Sequence, residues 1–223
     1  MPRPSGIELD PRDYDVLRFI GQQYGVPFYL LKCLLRRARP YNQGEDYTRN
    51  TNRTIGRWSV LGLVVVDIFN GAKWIRLTTA GMRYVDLPYN AKLLPSHHLK
   101  HIEAVAVVRF YLECTVNVEN WIPPREYKYS YPDLEYAPDG ISIIDGKVIP
   151  QEIELILKDI TEKLDYYLRS FDVVWYWSNR GVHTYLEKHY ADTPQISTVP
   201  IEEVTAWLST YRPETNKSSR ESA

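Results

Sequence analysis

Three acids stand close together in the second half of the chain. Asp139 follows Pro138 and opens an apolar run, Ile141-Ser142-Ile143-Ile144. Asp145-Gly146 is a turn signal, and Val148-Ile149 then leads into Glu152 and Glu154. Read as a hairpin, the segment sets Asp139, Glu152 and Glu154 on adjacent strands. Carboxylates grouped beside β-structure are suited to holding Mg²⁺ or Mn²⁺ against a phosphodiester. The cation there stabilises developing phosphate charge and acidifies a water. Glu152 and Glu154 are two apart, so they share one side of a strand while Ile153 and Leu155 face the core. Like charges on one strand face destabilise unless a cation or a basic partner lies between them. Lys158, one helical turn on, would bring a cation back to the site, and Glu103 and Glu113 upstream are candidates for a further acidic ligand. The plain alternative makes Asp139 a turn residue and places both glutamates on an exposed edge strand.

The elements that must position these acids follow from periodicity. A helix is expected from about His98 to Glu113, with Ile102, Val105, Ala106 and Phe110 on one face. A strand is expected near Asn120-Ile122, then the acidic hairpin over 139–155 and a helix from Lys158 to Ser170. The run Phe171 to Trp177 is β-prone, and its alternating Phe171, Val173, Trp175 and Trp177 read as the core face. A helix from Val182 to Tyr190, a strand from Ile196 to Val199 and a last helical turn over 202–208 complete an α/β arrangement around a mixed sheet. His97, His98 and His101 read as helix-start or packing residues rather than a metal cluster.

The first half has a different layout. Asp10-Pro11 starts a helix carrying Val16, Leu17 and Ile20, and Gly25 and Pro27 end it. A second helix, Phe28 to about Arg37, carries Leu30, Leu31, Leu34 and Leu35. A polar loop follows over 38–50. A third helix, about Thr51 to Leu61, turns Ile55 and Trp58 inward and stops at Gly62. Two β-prone runs flank Asn70-Gly71, a strong hairpin turn, and a short helix begins at Thr79-Ala80-Gly81. Three helices and a hairpin are the order of a winged helix-turn-helix, whose third helix enters the major groove of double-stranded DNA while the wing touches the backbone. Arg49, Arg53 and Arg57 fall at i, i+4 and i+8, one helical face, and Lys73 and Arg76 lie on the wing. Arginine reads guanine edges and phosphates. Arg36-Arg37-Ala38-Arg39 reads equally as a phosphate contact or as a solvated helix end that complements the dipole. A solvated basic face that binds another protein is the alternative to DNA.

Charge separates the halves. Residues 1–92 hold 14 Lys and Arg against 8 Asp and Glu, and residues 93–223 hold 13 against 20, so +6 stands beside −7. Only the first half has the bulk charge to attract a polyanion. No run approaches the roughly 20 apolar residues of a membrane span, and the first residues have no apolar core of a signal peptide. Cys33 and Cys114 are far apart and outside any CxxC pair, so zinc is not expected and a reducing cytoplasm is. The expected division is a flexible 1–9, a winged helix over 10–88, a linker over 89–97, the mixed-sheet domain over 98–207 and a disordered tail over 208–223.

Pro138-Asp139 followed by Glu152-Ile153-Glu154 resembles the PD-(D/E)xK nuclease superfamily, with Glu154 where the pattern has Lys. The resemblance implies Asp139 and Glu152 as Mg²⁺ or Mn²⁺ ligands, with Glu154 as a third ligand or base. The chain as a whole resembles the replication-relaxation family of plasmids and integrative elements. The likeness rests on Ile55-Gly56-Arg57-Trp58-Ser59-Val60-Leu61-Gly62-Leu63-Val64, Leu77-Thr78-Thr79-Ala80-Gly81, the His101–Glu113 helix, and Pro138-Asp139-Gly140 with Glu152-Ile153-Glu154-Leu155 and Lys158. It implies a cytoplasmic DNA-binding protein of a mobile element, acting in replication, relaxation or transfer beside that element's other proteins, with metal-dependent endonuclease activity left open. The rival expectation is a non-catalytic regulator whose degenerate nuclease-like domain forms a homodimer or recruits a partner.

Overall fold

The computed structural model describes residues 9–38, 47–92, 95–130, 136–157 and 160–211. It is a mixed α+β structure with a three-stranded antiparallel sheet and a five-stranded mixed sheet. The chain divides into two compact units, and the second runs from His97 to Ser209. No helix among the described residues is long and apolar enough to cross a membrane.

In the first unit, α1 (Pro11–Gln22) starts on Asp10, whose carboxylate accepts from the Arg12 N–H at 2.9 Å, while Asp13 accepts from the Asp10 N–H at 3.1 Å. This reciprocal cap, with Pro at the first helical position, satisfies donors that the helix start would otherwise leave bare. β1 (Val26–Pro27) leads into α2 (Phe28–Ala38), and α3 spans Tyr47–Val60. α3 thus begins four residues before the expected Thr51 and takes up the end of the expected loop. Thr51, Ile55 and Trp58 are its buried stripe, at the spacing of one helical face. β2 (Val64–Phe69) and β3 (Ala72–Leu77) form a hairpin in register from Val64↔Leu77 to Phe69↔Ala72. Its turn residues Asn70 and Gly71 both have positive φ, 49° and 79°, as a type I′ turn requires. β1, missed in the sequence because two residues carry no periodicity, pairs with β3 to give the order β1-β3-β2. α4 (Thr79–Tyr84) is capped by Thr78, whose hydroxyl accepts from the Gly81 N–H at 3.0 Å.

In the second unit, a 3-10 turn over Ser96–His98 opens α5 (Leu99–Thr115). Residues on every side of α5 are buried, Ala104, Val107 and Val108 as well as the expected Ile102, Val105, Ala106 and Phe110. β4 (Val118–Ile122) and α6 (Pro124–Ser130) follow; the Tyr- and Pro-rich composition concealed α6. Then come β5 (Gly140–Ile144), β6 (Lys147–Glu154), α7 (Thr161–Ser170), β7 (Val174–Ser178), α8 (Arg180–Tyr190), β8 (Ile196–Pro200) and α9 (Ile201–Thr210). The last is a full helix where a single turn was expected. The strand order is β4-β5-β6-β7-β8. β4, β5 and β6 pair antiparallel, and β6, β7 and β8 pair parallel.

β6 is therefore the centre of the sheet, and both its faces are covered. Along it Gln151 and Ile153 alternate with Glu152 and Glu154, and all four are buried. On one face Ile160, Leu164 and Tyr167 pack with Val174, Tyr176, Val182 and Leu186. On the other, Trp177 meets Tyr111 of α5 with ring centroids 5.9 Å apart, and Tyr111 meets Trp207 of α9 at 5.1 Å. The expected single core face of β7 is corrected here. Val174 and Tyr176 fill the α7–α8 side, Trp177 fills the opposite side, and Trp175 is only half-buried. A parallel strand covered on both faces reads as a continuous apolar run, not an alternation.

Candidate functional site

The acids meet where β5 begins and β6 ends. The pairing Gly140↔Gln151 puts Asp139 across from Glu152. The Asp139 carboxylate accepts the Ile153 N–H at 3.0 Å, tying the strand entry to the neighbouring backbone. Gly140 beside it lets the Trp121 ring pack against the strand: a Cβ there would lie 2.1 Å from that ring. The register is fixed by a buried polar clip. The Gln151 amide donates to the Ser142 hydroxyl at 2.8 Å, and its oxygen accepts from the Trp177 indole at 2.7 Å, so one side chain joins β5, β6 and β7. Such a clip is costly to break, because each buried group left unmatched costs about 1–3 kcal/mol.

Around the carboxylates stand three groups that periodicity did not single out. His101 Nε2 lies 2.8 Å from Asp139 Oδ1. Lys163 Nζ donates to Glu152 Oε2. The Tyr167 hydroxyl donates to Glu152 Oε1 at 2.6 Å. Lys163 and Tyr167 are one turn apart on α7, so both reach the same strand side. Their i, i+4 spacing was the available signal, but nothing in the sequence tied that helix face to β6. His101 corrects the helix-start and packing reading. His97 and His98 do sit in the turn that starts α5, with rings 4.2 Å apart. His101, one turn further, is an electrostatic partner of the site.

The charges are strongly coupled. Burial, then the charge of Asp139, pushes the Glu152 carboxyl up to about 7, against the pull of Lys163 and Tyr167. Burial alone would also raise Asp139; the His101 hydrogen bond overrides it and, with the charges of His101 and Lys163, holds that carboxyl below the usual range. Burial would lower His101, but its hydrogen bond to Asp139 and the charges of Asp139, Glu152 and Glu154 raise it. Lys163 is raised likewise, its burial outweighed by the charges of Glu152 and Asp139. Near neutrality the cluster thus holds an ionised Asp139, a Glu152 close to half-ionised and a charged Lys163.

The edge-strand alternative fails, because Glu152 is 1% exposed and Glu154 6% exposed on a central strand. Lys163 is a basic partner of Glu152; Lys158, the cation expected from the sequence, lies outside the described residues. Of the upstream acids, Glu113 pairs with Arg109 at 2.6 Å, and Glu103 is half-buried on α5. Among the described residues, no group of three or more His, Cys, Asp or Glu is already arranged to hold a metal ion. The donors are nevertheless of the hard-oxygen kind that Mg²⁺ and Mn²⁺ take. Two buried hydroxyls on the same sheet face, Tyr176 and Ser178, have no hydrogen-bond partner among the described residues. The residues fit a divalent cation in their chemistry, with Lys163 holding part of its place.

In the first unit the five basic candidates divide. Arg49 and Arg53 are exposed on α3, and Lys73 is exposed on the hairpin with its Nζ 5.7 Å from the Phe28 ring. Arg57 lies instead 2.5 Å from the buried carboxylate of Asp13, and Arg76 lies 2.5 Å from Asp67 across the hairpin. Those two guanidiniums are structural ties within the unit. Arg36, open to two readings, is stacked 3.8 Å from the Tyr47 ring centroid, which joins the end of α2 to the start of α3; Arg39 lies outside the described residues.

No family model matches the chain, and no curated protein matches it. Among solved structures, protein VC1899 from Vibrio cholerae is similar at a TM-score of 0.37 and 10% identity, over 92% of this chain and 56% of that one. The chain therefore spans little more than half the length of that protein, and a likeness this loose carries neither fold nor function.

Proposed function

We propose that the chain is a DNA-binding protein whose second unit is a PD-(D/E)xK-like site for metal-dependent phosphodiester hydrolysis. The observation that carries the reading is the juxtaposition of Asp139 and Glu152 at the centre of a mixed sheet, with Lys163 delivered onto Glu152 from the following helix. That supplies all three chemical parts of the superfamily pattern, with the lysine moved from the strand to α7. A bound Mg²⁺ or Mn²⁺ would be held by Asp139 and Glu152, and would stabilise phosphate charge and acidify an attacking water. Lys163 would orient that water or bind a phosphate oxygen, and His101 would fix the rotamer and charge of Asp139. Glu154, on the same face as Glu152, would serve as a further ligand or base.

The first unit is read as a winged helix-turn-helix, with α3 as the groove helix and β2–β3 as the wing. DNA contacts are assigned to Arg49, Arg53 and Lys73, with Arg57 and Arg76 setting the shape of the face. Action on the DNA of a mobile element, in replication, relaxation or transfer, follows from the replication-relaxation resemblance and belongs to the same proposal. The test is cleavage of supercoiled plasmid in Mg²⁺ or Mn²⁺ by the wild type, Asp139→Ala and Glu152→Ala. Cleavage by the wild type alone supports a nuclease. DNA binding without cleavage supports the second reading, a regulator on a silent nuclease-like unit. That reading is favoured by one observation, that Lys163 and Tyr167 already occupy both oxygens of Glu152.

A further inference from the structure

Tyr167 and Tyr176 lie in the same layer between the sheet and its helices, both essentially buried. Tyr167 spends its hydroxyl on Glu152. Tyr176 has no hydrogen-bond partner among the described residues, although it is 1% exposed. It shares a cluster with the apolar Leu164, Val174, Val182 and Leu186, with Tyr190 packed against that cluster, and phenylalanine would fill the same space without the cost of a bare phenol, about 1–3 kcal/mol. The register explains where the phenol stands. Tyr176 pairs with Glu152, and Ser178, whose buried hydroxyl is also unsatisfied, pairs with Glu154. Paired residues of parallel strands share a sheet face, so Tyr176 and Ser178 stand beside Glu152 and Glu154 on the β7 side, away from Asp139, and the charges of both glutamates act on the Tyr176 phenol.

We propose that Tyr176, with Ser178 beside it, is a positioning residue of the cation site: its hydroxyl donates to a water held against Glu152 and Glu154 and so orients those carboxylates toward a divalent cation. The inference rests on the proposed metal-dependent reading and goes beyond it by assigning the two residues of β7 a part in ion binding. Groups that orient ligand side chains typically contribute about 10–100-fold in metal affinity.

The test uses full-length wild type, Tyr176→Phe, Ser178→Ala and Glu152→Gln. Mn²⁺ affinity is measured by titration calorimetry, and the melting temperature is measured in excess chelator. The expected result is that Tyr176→Phe melts at or above the wild-type temperature without metal yet binds Mn²⁺ about tenfold or more weakly, with Ser178→Ala weakened in the same direction. Wild-type Mn²⁺ affinity in Tyr176→Phe, with affinity lost in Glu152→Gln, overturns this inference and leaves the metal reading standing. A lower melting temperature for Tyr176→Phe in chelator with Mn²⁺ affinity intact also overturns it, since the phenol then serves stability alone. Absence of Mn²⁺ binding by the wild type overturns both.

Discussion

Replacing Lys163 by methionine tests whether the cation on α7 holds Glu152 ionised. Methionine keeps the length and the apolar stem and removes only the charge. Glu152 is 1% exposed, and its carboxyl already stands at about 7 with Lys163 present. Without Lys163 it rises further, since burial and Asp139 both oppose its charge. At about pH 6 the variant holds Glu152 neutral and loses one hydrogen bond from a charged donor, a cost of about 1.5 kcal/mol. At about pH 8.5 the site must either keep an uncompensated buried carboxylate or hold a proton against the solvent, and each pH unit so held costs about 1.4 kcal/mol. The deficit then reaches about 3 kcal/mol, the low end for breaking a buried ion pair. At about 3 °C per kcal/mol for a chain of this size, the melting temperature falls by about 4 °C at the lower pH and about 9 °C at the higher. Differential scanning calorimetry in chelator, at both pH values, reads this directly. Adding Glu152→Gln to Lys163→Met should abolish the pH dependence of the deficit. An equal deficit at both pH values, or a double variant as pH-sensitive as the single, refutes the coupling.

The wild type carries a weaker form of the same dependence. Glu152 is raised from 4.5 to about 7, so its contribution to stability is complete below about 4.5 and is lost as the pH rises through 7. His101 is also raised and acts in the same direction, whereas Asp139 is lowered and its contribution fails only in acid. In chelator the melting temperature should thus decline from about pH 5 to about pH 8, and Glu152→Gln should flatten the curve. In the first unit, Arg53→Glu should weaken DNA binding in a gel-shift titration and leave the melting temperature unchanged, since Arg53 is exposed on α3. Arg57→Ala should instead destabilise by about 3 kcal/mol in denaturant titration, because the carboxylate of Asp13 is 1% exposed and loses the Arg57 guanidinium. Gly140→Ala should cost at least about 1–3 kcal/mol, since its new Cβ would meet the Trp121 ring.

Most of the helices, α6 and the length of α9 excepted, and the two hairpins were legible because local chemistry marks them. Asp10-Pro11, Asn70-Gly71 and Asp145-Gly146 each carry a start or a turn within two residues, and the structure uses all three. The succession of β5 to β8 along the chain followed from the hairpin turn and the β-prone runs, but their order in the sheet did not. What failed to show was long-range placement. Glu152 and Lys163 are eleven residues apart, His101 and Asp139 thirty-eight, and only the register of β6 and the seating of α5 and α7 bring them together. Arg49, Arg53 and Arg57 obeyed one helical periodicity, yet a buried acid on α1 claimed Arg57. A pattern of charge along a helix does not reveal which charge has a partner waiting in the core.

The acidic cluster owes its state to helix α7 more than to the strand that carries it. Glu152 alone, buried opposite Asp139, would be protonated well above neutrality and would be a poor ligand for a hard cation. Lys163 and Tyr167, from one face of α7, oppose that rise, so the carboxyl is poised where a small electrostatic change decides its charge. On the proposed metal-dependent reading, a divalent cation beside Asp139 would supply such a change, and its binding should displace the Glu152 proton and weaken the Lys163 contact. On that reading, the same lysine would stabilise the metal-free state and compete with the cation. Lys163→Met should raise the cost of the empty site and lower the barrier to filling it, so Mn²⁺ should stabilise that variant by more degrees than it stabilises the wild type. Equal stabilisation of the two proteins by saturating Mn²⁺ would contradict the competition and leave Lys163 a purely structural partner of Glu152.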